Sequence, residues 1–309
     1  SVNHMRYMSK IIIALIVAGA MSSGVALAAG GKTKPVEHYH WSFSGINGKY
    51  DQDALQRGFQ VYREVCAACH SIDFIAFRHL GDKGGPFYLE ECPEGAPDTL
   101  NCSNPNDNPL VKALAAEYEV EDGPDDSGDM FMRTGLPSDT IPGPYANEQQ
   151  AAAANGGAIP PDLSLITKAR KYGPDYLHSL LKGYTDPPET VELDPGTYYN
   201  PYYKGDMATL LKPEYVDDEG KPLEGVEVPP GGVLKMKAPL VDGIVDYIDD
   251  SVPETVEQYS KDVSTFLTWT AEPKIEARKT MGKISLLYLL IMAVIVYLSY
   301  KQIWSRIDH

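Results

Sequence analysis

The sequence contains few cysteines and fewer basic than acidic residues. Its 309 residues include only four cysteines, and 43 acidic side chains outnumber 27 basic ones, for a formal net charge of −16. A chain this acidic lacks the basic face that binds phosphates, which argues against nucleic acid as a partner. The 24 prolines and 27 glycines argue against a plain helical bundle and favour a body rich in loops.

Long apolar runs are also scarce, and the first lies near the N-terminus. Arg6 and Lys10 precede an apolar run from Ile11 to Met21, and small residues follow it up to Ala28. This order is typical of a signal peptide over residues 1–28. A retained membrane anchor is the alternative, but the run is about half the roughly 20 residues that a span needs.

The second apolar run lies near the C-terminus and predicts a membrane-spanning helix. It carries no charge from Ile284 to Tyr300 and, at about 1.5 Å per residue, reaches roughly 26 Å. Lys283 and Lys301 flank it and can extend to the two membrane surfaces. We assign residues 276–309 to an anchor with a short tail, with a buried helix of a soluble domain as the alternative.

Two of the four cysteines lie in the motif Cys66-Ala67-Ala68-Cys69-His70. This C-x-x-C-H pattern is the attachment signature of a c-type haem, in which each thiol adds to a vinyl group and the histidine binds iron. A zinc site would need further ligands, and a thioredoxin-like site would accompany a βαβ pattern. The motif therefore predicts one covalently bound haem c in a domain of residues 29–275.

The remaining cysteines, Cys92 and Cys102, are ten residues apart. This even pair suits a disulfide in an oxidising compartment, although the sequence leaves their pairing open.

The second axial ligand decides whether the iron transfers electrons or, with an open position, binds ligands as in a peroxidase. Met236 is the preferred candidate, because prolines and glycines stiffen the loop on both sides of it. Met207 is the second candidate. Met130 and Met132 alternate with Phe131, a pattern that predicts packing rather than ligation.

Arginines and a run of acids complete the candidate residues. Haem propionates need donors, and the arginines that follow the motif within residues 29–275 are Arg78, Arg133 and Arg170. The acidic segment from Glu117 to Asp122 is either a solvated surface or a docking patch for a basic electron carrier.

Apolar periodicity predicts several helices, and hence a mainly α fold. The expected helices are Asp51–Cys66, Pro109–Val120, a short helix ending at Arg170, and Glu254–Ala271, which a capping box at Ser251–Glu254 would begin.

Taken together, these features resemble the cytochrome c1 family, the haem c subunits of ubiquinol–cytochrome c reductase (the bc1 complex). The resemblance extends over nearly all of the mature chain and is that of a bacterial member close to the mitochondrial type. The segments that carry it are Arg57–Tyr62, Phe77–Leu80, Asp129–Arg133, Pro160–Ser164, Lys168–Arg170, Asn200–Tyr202, Lys261–Val263 and Trp269–Pro273. The chain departs from the family pattern at residues 81–108, which contain the second cysteine pair, and in a longer loop at 201–230.

The resemblance implies a class I cytochrome c-like haem domain with long irregular loops and one C-terminal transmembrane helix. It implies that Cys66 and Cys69 hold the haem, that His70 and Met236 are its axial ligands, and that Arg170 contacts a propionate.

The implied function is that of a redox subunit, with no acid–base catalysis on this chain. The expected partners are cytochrome b, a Rieske iron–sulfur protein that donates electrons, and a cytochrome c that accepts them. The alternative is a membrane-anchored cytochrome that serves a different dehydrogenase or oxidase.

The expected location is the bacterial inner membrane, with the haem domain in the periplasm. More basic residues precede the C-terminal span than follow it, which by the positive-inside rule would place the domain in the cytoplasm. The signal peptide and the haem motif indicate the opposite orientation, and we follow them.

Overall fold

A computed structural model describes residues 31–97 and 99–305. The predicted signal peptide, residues 1–28, lies outside the described residues. Helices dominate the described part, and the few strands are short, which confirms the mainly α prediction. The helices are α1 (Gln52–Val61), α2 (Phe77–Leu80), α3 (Pro109–Ala115), α4 (Glu148–Ala154), α5 (Ile166–Ala169), α6 (Pro174–Lys182), α7 (Val256–Ala271) and α8 (Ile275–Trp304). The strands are β1 (Glu119–Asp122), β2 (Phe131–Thr134), β3 (Tyr198–Asn200) and β4 (Gly232–Leu234).

Helices α1 and α7 cross at the centre of the main core. Gly58 is required at the crossing, because a Cβ atom there would lie 2.1 Å from the backbone oxygen of Asp262. Beside it, the rings of Phe59 and Phe266 meet edge to face at 5.5 Å. Trp269, buried farther along α7, stacks on Phe266. This packing fixes the direction in which α1 leads into the cysteine motif.

The predicted helix over Pro109–Val120 is too long. Helix α3 ends at Ala115, and Glu119, Glu121 and Asp122 belong to β1, which pairs antiparallel with β2 in a hairpin. Val120 is β-branched and favours an extended chain. The hairpin also overturns the expected packing of Met130 and Met132, which are 54% and 58% exposed, because no further strand or helix of the described residues covers that part of the hairpin.

Helix α7 agrees with its prediction apart from its first turn. Its N-cap is Thr255, which accepts a hydrogen bond from the Gln258 amide, so the predicted capping box at Ser251–Glu254 is wrong. Helix α8 contains the uncharged run and, among the described residues, is the one helix long and apolar enough to cross a membrane.

The structure joins Cys92 and Cys102 in a disulfide. The bridge closes an irregular loop ahead of Asn108, the buried residue that caps α3 with its side-chain oxygen. The side-chain nitrogen of Asn108 also forms a hydrogen bond, donating to the Phe87 carbonyl oxygen at 2.7 Å. The segment between Phe87 and Asn108 is thereby joined at its two ends, next to the core.

Candidate haem-binding site

The cysteine motif lies in a tight turn at the end of α1. A single turn of π-helix continues α1 from Tyr62 to Cys66. The Cys66 carbonyl oxygen then accepts from the amides of Cys69 and His70 at 3.1 and 2.9 Å. Both thiols are free. The turn therefore gathers two unpaired thiols and one imidazole at one end of a helix that is fixed in the core.

A backbone carbonyl fixes the tautomer of His70. The Nδ1 atom of His70 lies 2.8 Å from the Pro161 carbonyl oxygen. Because a carbonyl oxygen can only accept, Nδ1 carries the proton and Nε2 keeps its lone pair. An imidazole oriented through its second nitrogen in this way is the usual form of a metal-ligating histidine.

The segment after His70 is joined to the segment after Pro161. Asp162 accepts from the Ser71 hydroxyl at 3.0 Å and from the Asp73 amide at 2.8 Å. Ser164 accepts from the Phe74 amide at 3.1 Å. These bonds hold the Pro161 carbonyl in place against the imidazole.

Burial also sets the protonation of the site. It lowers the pKa of His70, against the opposing effect of the hydrogen bond to Pro161, so the imidazole is neutral and able to bind a metal at neutral pH. Burial, with a smaller contribution from the neighbouring Cys69, raises the pKa of the Cys66 thiol to about 12. A thiol with this pKa is protonated at neutral pH, and the protonated form is a weak nucleophile.

Met236 lies two residues after β4, on the loop that follows this strand. The β3–β4 pair supports that loop, and the buried Asn200 in β3 joins the pair to α6 by donating to the Leu180 carbonyl oxygen at 2.8 Å. Lys235 anchors the loop from its other side, since its ammonium donates to the Gly156 carbonyl oxygen at 2.5 Å. The Met236 side chain is half-buried.

The other candidate methionines have different surroundings. Met207 is fully buried in a second, smaller apolar cluster with Val191, Tyr199 and Leu211. A thioether enclosed by that cluster acts as core, whereas Met130 and Met132 lie on the exposed hairpin.

The three candidate arginines differ in how they are engaged. Arg133 is bound by Asp122 and Asp139 and is not available to a propionate. Arg170 follows α5, and its exposed side chain makes no hydrogen bond or ion pair with another residue of the described ranges. Arg78 is exposed and equally unengaged within those ranges.

The donor set fits a c-type haem. Free thiols at the correct spacing, a neutral imidazole with a free Nε2 and a half-buried thioether on a separate loop are the side chains that such a group needs. The zinc alternative lacks support, since Cys92 and Cys102 are bonded to each other and residues 31–97 and 99–305 contain no cluster of metal-binding side chains. The site is therefore that of a c-type cytochrome.

Sequence reasoning missed the residues that hold the histidine. It used Pro160–Ser164 only as part of a resemblance and assigned no role to the Pro161 carbonyl, Asp162 or Ser164. The one available signal was a short polar group directly after two prolines, which is typical of a rigid, hydrogen-bonded turn.

Comparison with known proteins agrees with the site. The model of the Cytochrome C1 family matches residues 41–307. Cytochrome c1 of Rhodospirillum rubrum is 38% identical over 298 residues, covering 94% of this chain and 97% of that protein. Cytochrome c1-2, heme protein, mitochondrial, of Solanum tuberosum is 42% identical over 268 residues, or 86% of this chain and 84% of that one.

A longer relative combines two names. Cytochrome b/c1 of Bradyrhizobium diazoefficiens is 42% identical over 319 residues, which cover 96% of this chain but only 40% of that protein. From the family match and these relatives, the chain belongs to the cytochrome c1 family.

Proposed function

We propose that this chain is the electron-transfer subunit of a ubiquinol–cytochrome c reductase and carries one covalently bound haem c. Thioether bonds from Cys66 and Cys69 attach the haem, and His70 and Met236 are its axial ligands. The observation that carries the proposal is the hydrogen bond from His70 Nδ1 to the Pro161 carbonyl, beside two free thiols. When bound, haem c supplies a one-electron iron couple.

The chain's own residues hold and orient that group and move no protons. His70 is kept neutral by burial and aimed by Pro161, so it can ligate through Nε2. Met236 would be a soft ligand that favours the reduced iron and prevents other ligands from binding to it. Arg170, with no acidic partner among the described residues, is free to bind a propionate.

The electron donor and acceptor in this proposal are a Rieske iron–sulfur protein and a cytochrome c. The acidic segment supports a basic acceptor only in part, because Glu117 pairs with Arg63 and Asp122 with Arg133. Glu119 and Glu121 lie on the exposed face of β1, form no ion pair with other described residues and are accessible for docking. The name of the Bradyrhizobium relative supports cytochrome b as a further partner.

We infer a single-pass protein of the bacterial inner membrane with its haem domain in the periplasm. The exposed apolar length of α8 supports the anchor. Residues 1–28 serve as the export signal, 29–275 as the haem domain and 276–309 as the anchor and tail.

Replacing the axial methionine tests the proposal most directly. Met236→Leu should yield a holoprotein that retains its covalent haem, has a lower reduction potential and binds carbon monoxide. The control is Met207→Leu, which repacks the second cluster and should leave both readouts unchanged. A Met236→Leu protein with an unaltered potential and no new ligand binding would contradict the assignment.

Copurification tests the partners. The tagged full-length chain should bring down a Rieske protein and a cytochrome b. Recovery with the subunits of another dehydrogenase or oxidase would instead identify a membrane-anchored cytochrome of a different complex.

A further inference from the structure

A tight turn next to the anchor helix is attached to it by side-chain bonds. The turn, residues 41–49, is closed by hydrogen bonds from the Ser44 amide to the Trp41 carbonyl and from the Lys49 amide to the Ser42 carbonyl. Gly45 adopts a φ of +72°, a conformation that favours glycine. The turn is therefore a defined structure rather than a loose loop.

Helix α8 binds this turn through its first two and a half turns. The Lys279 ammonium donates to the carbonyl oxygens of Phe43 and Gly48, and Lys283 donates to the side-chain oxygen of Asn47 at 3.1 Å. One turn earlier, Glu276 accepts from the Tyr50 amide at 3.0 Å. These contacts fix the turn against α8 on one side.

The same contacts set the height of the turn relative to the membrane. Lys283 directly precedes Ile284, the first residue of the uncharged run. Lys279 lies four residues before Lys283, which is about one helical pitch of 5.4 Å farther from the run. The headgroup layer of a bilayer is roughly 5–7 Å thick on each side of a core of about 30 Å. If α8 spans the membrane, a turn held between Lys279 and Lys283 would therefore lie within that layer.

The side chains at the tip suit this position. Ile46 is 73% exposed at the tip of the turn. A single exposed isoleucine is ordinary on a protein surface, and its significance comes from its position. Lys49 is exposed in the same turn and forms no ion pair with other described residues, in a chain with a net charge of −16.

We propose that the 41–49 turn is a second membrane contact, in which Ile46 enters the interface of the bilayer and Lys49 faces anionic lipid headgroups. The proposal rests on α8 being the anchor that the proposed function assigns. Ile46 would exchange water for the acyl boundary, and Lys49 would be attracted to anionic phosphates. The haem domain would thus be seated on the membrane at two points and its tilt restricted.

Spin labelling of the full-length holoprotein tests this contact. Ile46→Cys introduces the thiol that carries the label. In the holoprotein the four native cysteines do not react with the label, because two are bound to the haem and two form the disulfide. The labelled protein is placed in vesicles of phosphatidylethanolamine and phosphatidylglycerol. Accessibility is measured to oxygen, which concentrates in lipid, and to a water-soluble nickel complex.

A matched control is Ile248→Cys, at a fully exposed isoleucine. Its loop is bound to the first half of α7, whose 16 residues extend roughly 24 Å before α8 begins. We expect the ratio of oxygen to nickel accessibility to be severalfold higher at position 46 than at position 248. Equal ratios would overturn the proposal, as would a label at 46 shielded from both reagents, because a protein surface would then cover the turn.

A third label separates this inference from the anchor itself. Leu290→Cys lies in the middle of the uncharged run and should show the highest oxygen preference. If position 290 has a lipid signature and position 46 does not, the second contact is wrong and the anchor stands. If position 290 is exposed to the nickel complex, the anchor assignment fails and the second contact fails with it.

Discussion

The two loops that carry the candidate axial ligands are supported very differently. On the His70 side, Asp162 and Ser164 join two chain segments directly, and α1 delivers the motif from the main core. On the Met236 side, a pair of three-residue strands and the small cluster around Met207 carry the loop. The contacts that hold the His70 segment thus belong to the main core, whereas the contacts that hold the Met236 loop belong to a smaller local structure attached to that core.

This difference separates two properties of the site. Changes on the histidine side should affect folding and haem attachment together, because the same contacts serve both. Changes on the methionine side should alter ligation of the iron in a protein that remains folded. The variants below test that separation.

The largest effect is expected from Gly58→Ala. The added Cβ would lie 2.1 Å from the Asp262 carbonyl oxygen, so α1 and α7 must move apart. We expect a loss of about 3 kcal/mol in the free energy of unfolding and a reduced yield of haem-attached protein. The matched control is Gly282→Ala in α8, where the Cβ meets nothing within 4 Å. Equal stability of the two variants in denaturant titrations would show that the helix crossing is not tight.

A smaller loss is expected from Asp162→Ala, which leaves the Ser71 hydroxyl and the Asp73 and Ser164 amides without their acceptor. Bonds to a charged acceptor contribute about 1.5–3 kcal/mol, and we expect a loss in that range. Loss of the link should also free the His70 ring and change the spectrum of the low-spin haem. Asp162→Asn keeps one acceptor oxygen and should be milder; equal effects of the two would contradict a role for the carboxylate.

On the methionine side, Asn200→Ala should have a local effect. It removes the donor to the Leu180 carbonyl and the acceptor of the Tyr202 amide, at a cost of about 1–2 kcal/mol. Haem attachment should be normal, but carbon monoxide should bind because the Met236 loop is less firmly held. The exposed Asn106→Ala is the control. Reduced haem attachment in the Asn200 variant would contradict the proposal that the methionine side supports ligation of the iron but not attachment of the haem.

The smallest effect concerns pH. His178 in α6 is buried against Ser260, and burial lowers its pKa despite the nearby Glu257 carboxylate; Lys182 and Lys261 act in the same direction as burial. The folded protein disfavours the protonated ring of His178. The neutral ring therefore makes its full contribution to the free energy of unfolding above the ordinary pKa of about 6.5, and this contribution is lost as the pH falls below that value.

The measurement is a comparison of unfolding midpoints on the two sides of that pKa. The midpoint of the native protein should fall more between about pH 7 and pH 5.5 than that of His178→Gln, which cannot titrate. An identical decrease in both proteins would assign the pH dependence to other groups.

Sequence patterns predicted those parts of the fold that depend on local periodicity. Helices α1 and α7 follow from the spacing of their apolar residues, and α8 follows from its uncharged apolar run. The predictions that were wrong concern tertiary context. Whether Met130 and Met132 are covered depends on which element packs on the hairpin, and this cannot be read from neighbouring residues.

The site was predictable to the extent that covalent chemistry dictates spacing. C-x-x-C-H is a local constraint, so Cys66, Cys69 and His70 are predicted from the sequence alone. Pro161 acts through its carbonyl oxygen, which every residue possesses, and its role depends on a contact across a long stretch of chain. The choice of Met236 over Met207 stays a prediction until the variants are measured.

The Cys92–Cys102 bridge has a consequence for maturation. Four thiols can pair in three ways, and any bridge from Cys66 or Cys69 to the second pair would consume a sulfur that the haem requires. Short loops close at the lowest entropic cost, and these partners are only ten residues apart, so Cys92 meets Cys102 before it meets the motif. The bridge therefore removes two competing sulfurs and leaves Cys66 and Cys69 available for attachment of the haem.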